Sequence, residues 1–209
     1  SMKSNDFKKI TLASKTLQKC KNIKNDIKKK YNLNIDIEEL DADNVNSTIK
    51  LLKKYKPDLV VNLALPYQDL SIMEACLSEK IHYLDTANYE PKNEAKFEYK
   101  LQWELNNDFK KQEIMALLGS GFDPGVTNVY TAFAKKHYLD TIDYLDILDC
   151  NGGDHGQAFA TNFNPEINIR EITQPGKYFH KGDWVGVDAL SEHQSIYFPE
   201  VGFKDAYLM

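Results

Sequence analysis

The segment 118–128, LGSGFDPGVTN, combines a carboxylate with a backbone that can approach a ligand closely. It follows a short apolar run, so the pattern predicts a buried strand that leads into a helix through a glycine-rich turn. Gly119 and Gly121 permit positive φ angles or a close ligand, and Pro124 suits the first turn of a helix. Such junctions line the crevice of open α/β sheets, and Asp123 is aimed at that crevice. The alternative role of Asp123 is to cap the helix that begins at Pro124.

Hydroxyl and cationic groups follow the first predicted strand, at Ser14, Lys15 and Thr16. We expect this strand to correspond to the second strand of a dinucleotide-binding sheet. At the end of that strand an acidic residue binds the ribose 2′-hydroxyl of NAD, whereas basic or hydroxyl groups suit the 2′-phosphate of NADP. The segment therefore favours NADP as the cofactor. N-capping of the next helix is the alternative role of Ser14.

Two later strand ends carry further cofactor candidates. Asp41 and Ala42 follow the second predicted strand, where they could flank an adenine, or cap the next helix together with their neighbours. Asn62, Ala64 and Pro66 lie in the last residues of the third predicted strand and just after it, where the backbone would pass the nicotinamide side of the crevice. The alternative role of Asn62 is to satisfy buried backbone groups.

The elements that must position these residues alternate between β-rich and helical runs over the first 120 residues, a pattern typical of a parallel sheet with crossover helices. Strands are predicted at 9–13, 35–40, 59–64, 82–86 and 114–118, and helices at 16–30, 45–55, 70–80, 95–111 and 124–138. Aromatic-rich segments then predict strands of a mixed or antiparallel sheet at 142–150, 177–187 and 194–198.

The predicted fold class is therefore α/β: an incomplete Rossmann-type doubly wound parallel sheet, followed by an α+β domain. A boundary near 122–128 gives a truncated dinucleotide-binding domain at 2–123 and a substrate-binding and dimerisation domain at 124–209, which we expect to be incomplete at its C-terminus. No GxGxxG turn precedes the first strand, although a dinucleotide-binding domain normally begins with that turn on its central strand. We expect either direct pairing of strands 9–13 and 59–64, or displacement or exchange of residues 2–41.

Composition narrows the class of partner. The net charge of −5 argues against nucleic acid, and no apolar run reaches membrane-spanning length. The three cysteines are isolated, which argues against a metal site or disulfide framework and for a reducing, cytoplasmic compartment. An exposed strand edge and the aromatic C-terminal sheet favour a homodimer.

Five ordered segments resemble the saccharopine dehydrogenase-like reductases, and within them the carboxynorspermidine synthase group. They are VVNLALPYQDLSIMEACL, YLDTANYEP, GSGFDPGVTNVY, CNGGDHG and TNFNPEINIREI, at 60–77, 83–91, 119–130, 150–156 and 161–172. The resemblance implies an NADPH-dependent enzyme that condenses aspartate β-semialdehyde with putrescine or 1,3-diaminopropane and reduces the imine to carboxyspermidine or carboxynorspermidine. Lys15 stands where the family usually has arginine. Because the first glycine-rich unit of the family is missing, we expect this chain to be an inactive fragment and NADP to bind the intact parent.

The resemblance and the chemistry together indicate roles for individual side chains. Asp123 and Tyr89 are candidate proton relays for the attacking amine, with packing at a domain seam as the alternative for Tyr89. Asp154 suits the distal ammonium of a diamine, or is a plain turn residue. Arg170 suits the substrate carboxylate, or forms an ion pair with Glu166. Further substrate-binding candidates are Asn88, Gly125, Asn128, His155 and Asn162, and Gly121 joins the cofactor candidates.

Two other functions stay open. One is a saccharopine-type reductase that acts on lysine and an aldehyde, although the acidic GGD turn at 152–154 favours a diamine. The other is a non-catalytic remnant that dimerises through its C-terminal sheet.

Overall fold

The computed structural model of the protein describes residues 7–95, 99–153, 156 and 164–208. These residues form two compact units. The first takes the described residues of Ser1–Glu90 and Phe97–Tyr130, and the second those of Pro91–Lys96 and Thr131–Met209. The domain ranges 2–123 and 124–209 stay a prediction.

The first unit alternates strands and helices, as predicted. Its elements and the helix that follows them are β1 (Thr11–Ser14), α1 (Leu17–Tyr31), β2 (Asp36–Glu39), α2 (Val45–Tyr55), β3 (Leu59–Asn62), a 3₁₀ helix (Pro66–Gln68), α3 (Asp69–Glu79), β4 (His82–Asp85), α4 (Lys100–Glu104), α5 (Asn106–Lys111), β5 (Ala116–Leu117) and α6 (Val126–His137). The single helix predicted at 95–111 is thus two short helices, α4 and α5, within the described residues.

The strands of this unit form two parallel sheets. β1 pairs with β2, placing Thr11 opposite Asp36, and a second sheet has the order β3-β4-β5. In the second sheet Leu59 lies opposite His82, and Tyr83 opposite Ala116. In the described part of the chain β1 and β3 lie in separate sheets, so the expected direct pairing of these two strands is not found.

The core of the first unit lies between the β3-β4-β5 sheet and the helices that cover it. Its buried side chains are Leu52, Ile72, Met73, Ala75, Cys76, Ile81, Tyr83 and Phe109. Four of them lie on α3, which confirms the apolar face predicted for this helix. Burial of each large side chain contributes about 1.5–3 kcal/mol, so this core fixes the sheet whose carboxyl ends carry the candidate site.

The second unit contains α7 (Pro165–Ile172) and two antiparallel hairpins. The hairpins pair β6 (Gly176–His180) with β7 (Asp183–Val187), and β8 (Ser191–Phe198) with β9 (Gly202–Leu208). The strand predicted at 177–187 is therefore a hairpin, because Lys181 and Gly182, with φ of 50° and 89°, reverse the chain between two strands.

The strand predicted at 142–150 is wrong: these residues have no regular secondary structure, and no described strand pairs with them. β9 was not predicted. Parallel strands followed by antiparallel ones nevertheless confirm the predicted fold class. Across the described ranges, every helix is too short or too polar to cross a membrane.

Candidate functional site

A cluster of buried polar side chains lies at the carboxyl ends of β3 and β4. Asn62 and Asp85 end these strands and are 5% and 2% exposed, and Asp69, which begins α3, is 2% exposed. Asn62 Nδ2 donates to Asp69 Oδ1 at 2.7 Å and to Tyr83 Oη at 3.0 Å. Gln102, 1% exposed, completes the set. We call Asn62, Asp69, Tyr83, Asp85 and Gln102 the buried polar cluster.

Asp85 is the hub of the buried polar cluster. Its Oδ1 accepts the backbone N–H of Gly119 at 2.6 Å, and its Oδ2 accepts the side-chain amide of Gln102 at 2.7 Å. The Asp85 carbonyl accepts the N–H of Ser120 at 2.8 Å. An ionised carboxylate accepts hydrogen bonds only, so this set of donors suits a charged Asp85. The glycine-rich turn after β5 is thereby held to the end of β4.

Burial shapes the titration of the two carboxyl groups. Burial, with the nearby charge of Asp85, raises the pKa of Asp69 to about 8. Burial also raises the pKa of Asp85, but hydrogen bonds from Gly119, Tyr83 and Gln102 oppose that rise. Asp69 Oδ2 has no hydrogen-bond partner among the described residues. At neutral pH Asp69 is therefore mainly a neutral carboxylic acid, whereas the donors around Asp85 favour the ionised form of that carboxyl group.

The turn after β5 depends on its glycines. Gly119 and Gly125 have φ of 62° and 132°. A Cβ on Gly125 would lie 2.2 Å from the carbonyl oxygen of Gly121, which real side chains do not tolerate. Gly121 N–H donates to the Pro124 carbonyl at 3.0 Å, which closes the turn. The predicted helix starts at Pro124, whereas α6 begins at Val126. The Gly125 N–H donates to Asn128 Oδ1 at 3.1 Å.

Asp123 projects from this turn and is exposed. Its Oδ1 accepts the hydroxyl of Thr127 at 3.2 Å, while the N–H of Thr127 donates to the carbonyl of Phe122. The carboxylate thus contacts a side chain of the first turn of α6 and stays accessible to a ligand.

The loop after β4 carries Asn88 and Tyr89, both half-buried. The Tyr89 N–H donates to Gln102 Oε1 at 2.8 Å, and its carbonyl accepts from the Asn88 side chain at 3.2 Å. Gln102 therefore joins this loop to Asp85. The roles predicted for Asn88 and Tyr89 stay predictions.

The carboxyl ends of β1 and β2 bring Lys15 and Asp41 together, with Nζ 3.1 Å from Oδ2. Hydrogen bonding to Asp41 raises the pKa of Lys15. Asn44, rather than Asp41, caps α2 by accepting from Ser47 N–H at 3.0 Å. Ser14 Oγ accepts from the N–H of Thr16, the N-cap residue of α1, over a long 3.4 Å. An exposed ammonium beside hydroxyl groups is a donor set that fits the 2′-phosphate of NADP.

The other candidate cofactor-binding residues contact neighbouring groups of the chain. The Ala64 N–H donates to Asn62 Oδ1 at 3.0 Å, which is the alternative role predicted for Asn62. The Ala42 carbonyl accepts from Ser71 Oγ at 2.6 Å, and Pro66 begins the 3₁₀ helix. Their contacts with a cofactor stay predictions.

In the second unit Arg170 lies in the last turn of α7. Its Nη2 donates to the Pro91 carbonyl at 2.8 Å and its Nη1 to the Lys92 carbonyl at 3.1 Å. The guanidinium thus binds two backbone carbonyls of a segment 78 residues earlier in the chain. Asp154, His155 and Asn162 lie outside the described residues.

Sequence reasoning missed four members of the buried polar cluster: Asp69, Tyr83, Asp85 and Gln102. Asp85 had a signal, because a carboxylate inside the strand HYLD at 82–85 must find donors if it is buried. Gln102 had none, since the segment KLQWE at 100–104 does not mark it as the buried residue.

Known proteins resemble this chain over most of its length. Residues 2–117 match the family model described as saccharopine dehydrogenase NADP binding domain. Carboxyaminopropylagmatine dehydrogenase from Synechocystis sp. is 55% identical over 204 residues, 98% of this chain and 50% of that protein. Carboxynorspermidine synthase from Vibrio alginolyticus is 41% identical over 209 residues, 96% of this chain and 50% of that protein.

A solved structure, apo histidine-tagged saccharopine dehydrogenase (L-Glu forming) from Saccharomyces cerevisiae, resembles the chain in fold. The TM-score is 0.69 at 15% identity, over 98% of this chain and 44% of that one. The chain spans about half the length of the curated relatives it matches.

Proposed function

Because the chain belongs to the saccharopine dehydrogenase NADP-binding domain family, we propose that it carries the cofactor-binding part of an NADPH-dependent reductase of polyamine biosynthesis. In the proposed reaction a primary amine condenses with the aldehyde of aspartate β-semialdehyde and releases water. Two electrons and one proton, delivered as hydride by NADPH, and a second proton then reduce the C=N bond to a secondary amine.

The observation that carries the cofactor part of this proposal is the position of Lys15. Its ammonium stands exposed beyond the carboxyl end of β1, the strand end at which dinucleotide-binding sheets recognise the ribose. Asp41 holds it there through an exposed ion pair, which water and salt screen. A phosphate group, with up to two negative charges, can take the place of Asp41 on this ammonium.

Proton handling is proposed for Asp123 and Tyr89. The attacking amine must lose protons, and the exposed Asp123 carboxylate can accept one. The Tyr89 phenol is the second candidate. Both residues belong to loops that the buried polar cluster holds to β4, which supports their acting in one site.

The identity of the amine has two candidates. The sequence motifs favour putrescine or 1,3-diaminopropane, in line with the carboxynorspermidine synthase that is 41% identical. The higher identity, 55%, to a carboxyaminopropylagmatine dehydrogenase favours agmatine, the amine in that enzyme's name. In either case Arg170 is proposed to bind the carboxylate of the semialdehyde, and residues 124–209 to bind substrate and form a homodimer.

A titration of this chain and of the intact parent with NADPH and, separately, NADH tests the cofactor part. We expect saturable binding in the parent with NADPH preferred, and no binding of NADPH by the parent would contradict the proposal. Loss of NADPH absorbance in the parent with aspartate β-semialdehyde and each amine in turn then tests the substrate part. Faster turnover with agmatine would identify the amine, whereas turnover only with lysine and an aldehyde would indicate saccharopine chemistry.

A further inference from the structure

Gln102 is an uncharged side chain whose two ends bind different loops. It lies on α4 and is 1% exposed. Its Nε2 donates to Asp85 Oδ2 at 2.7 Å, and its Oε1 accepts the N–H of Tyr89 at 2.8 Å. The second Nε2 hydrogen faces Met73 Sδ at 3.8 Å. The amide group is therefore fully used inside the fold.

Asp85 extends this chain of hydrogen bonds to the glycine-rich turn. Its other carboxylate oxygen accepts the Gly119 N–H at 2.6 Å, and its carbonyl accepts the Ser120 N–H at 2.8 Å. The sequence of contacts is Tyr89 to Gln102, Gln102 to Asp85, and Asp85 to Gly119. Asp85 and Gln102 thereby connect the loop after β4 (86–90) with the turn after β5 (119–125).

We infer that Gln102 and Asp85 form a clamp that sets these two loops against each other, and that Gln102 is a positioning residue for Tyr89 and Asp123. The inference rests on the proposed function, because the loops carry the residues proposed to move protons. Gln102 itself touches no substrate.

The clamp requires a side chain that donates at one end and accepts at the other. Asp85, as an ionised carboxylate, needs a donor, and the Tyr89 N–H needs an acceptor. Methionine has the length of glutamine, but it has no donor and its sulfur is only a weak acceptor. A protonated glutamic acid supplies both, since its O–H can donate to Asp85 while its C=O accepts from Tyr89. An ionised glutamate would place a second negative charge against Asp85.

Q102E is therefore expected to respond to pH. Among the described residues, the titratable groups that interact with Asp85, the partner of Gln102, are Tyr83 on β4, Asp69 on α3 and Tyr99 before α4. All of these groups are acids, so they favour the protonated form of a glutamic acid at position 102.

Amide hydrogen exchange measured by NMR at pH 6 and pH 8.5, corrected for intrinsic rates, tests the clamp without any ligand. In Q102M we expect exchange at Tyr89 to rise by about tenfold at both pH values, the effect of one lost hydrogen bond. In Q102E at pH 6 we expect protection close to that of the unchanged protein, and its loss at pH 8.5. Q112E, which changes an exposed glutamine at the end of α5, is the matched control and should not change the exchange rate at Tyr89 at either pH.

Two results would overturn the clamp: protection of Tyr89 in Q102M equal to that of the unchanged protein, or protection in Q102E at pH 6 no better than in Q102M. Turnover is the second measurement. A positioning role predicts that kcat of Q102E recovers on acidification relative to the unchanged protein, with the KM for NADPH unaltered. If the Tyr89 amide responds but the intact parent shows no NADPH oxidation, the proposed function fails and the clamp stands. If NADPH oxidation is found but exchange at Tyr89 does not respond to the substitutions, the clamp is contradicted and the proposed function stands.

Discussion

Lys15 and Asp41 meet across the carboxyl ends of β1 and β2, with Nζ and Oδ2 3.1 Å apart. Both side chains are largely exposed, so the pair contributes little to stability and is easily exchanged for another anion. Asp41 thus orients the ammonium that we propose for the 2′-phosphate of NADPH without blocking it.

Reversal of charge at position 15 should change cofactor preference. In Lys15→Asp we expect affinity for NADPH to fall on the order of tenfold or more relative to NADH, because a charge-assisted contact becomes repulsive. Lys9→Asp is the matched control, since Lys9 forms a similar exposed pair with Asp36, 2.8 Å away, before the start of β1. The measurement is the dissociation constant of each variant for NADPH and for NADH, obtained by fluorescence titration. An equal loss in both variants would show that only net charge matters.

Asp69 should make stability depend on pH. Its pKa is about 8 in the fold against an ordinary 3.8, so between these values the folded protein holds a proton that the unfolded chain has released. The free energy of unfolding therefore falls as pH rises from about 4 to 8, by at most about 1.4 kcal/mol per pH unit. Asp69→Asn, which mimics the neutral acid, should flatten this slope in urea unfolding, whereas Asp58→Asn, on the surface, should keep it. An unchanged slope in Asp69→Asn would show that Asp69 is ionised.

Substitution of Gly121 should separate the two loops of the candidate site. A Cβ at this position would lie 2.5 Å from the carbonyl oxygen of Thr86, a backbone atom that cannot rotate away. We expect Gly121→Ala to lower the free energy of unfolding by about 1–3 kcal/mol. Gly186→Ala is the control, because a Cβ there meets nothing within 4 Å and neither glycine has positive φ. Similar effects in both variants would contradict the contact.

Asp123→Asn tests the proposed proton relay. We expect kcat for NADPH oxidation with the semialdehyde and amine to fall about 10²- to 10⁴-fold, the usual contribution of a general base. Thr127→Val removes the hydroxyl 3.2 Å from Asp123 Oδ1 but keeps the carboxylate, so it should change kcat only a few-fold. Small and equal decreases of kcat in the two variants would show that Asp123 stabilises the turn and does not act as a proton relay.

Arg170→Lys separates a structural role from substrate binding. The loss of two carbonyl contacts, at 2.8 and 3.1 Å, should lower the free energy of unfolding by about 1–3 kcal/mol, because lysine has no planar fork. If Arg170 also binds the substrate carboxylate, the KM for the aldehyde rises more than the KM for the amine. Equal changes in the two KM values would leave only the structural role.

The elements of the first unit could be predicted because their patterns are local. α2 runs from Val45 to Tyr55 as predicted, since apolar residues recur at helical spacing between Asn44 and Pro57. The pattern at 177–187 predicts one strand where the structure has a hairpin, because the positive φ values of the turn at Lys181 and Gly182 do not show in the apolar pattern.

The site could be predicted only in part, for a physical reason. Lys15 and Asp123 can be predicted because the segments that bear them follow the predicted strands 9–13 and 114–118. The burial of Asp85 and Gln102 was not found, because each is stable in the interior only through partners distant in the chain. Asp85 accepts hydrogen bonds from Gly119 and Gln102, which lie 34 and 17 residues away along the chain. A local sequence pattern does not show contacts at such separations.

The neutral acid of Asp69 gives the protein an internal reporter. A protonated carboxyl absorbs infrared light at a frequency apart from ionised carboxylates and backbone amides, and most other acidic side chains are ionised at neutral pH. Because Asp69 is 2% exposed, its proton can exchange with heavy water only when α3 and the end of β3 open. The deuteration rate of this single band would therefore time the opening of the candidate site without a label.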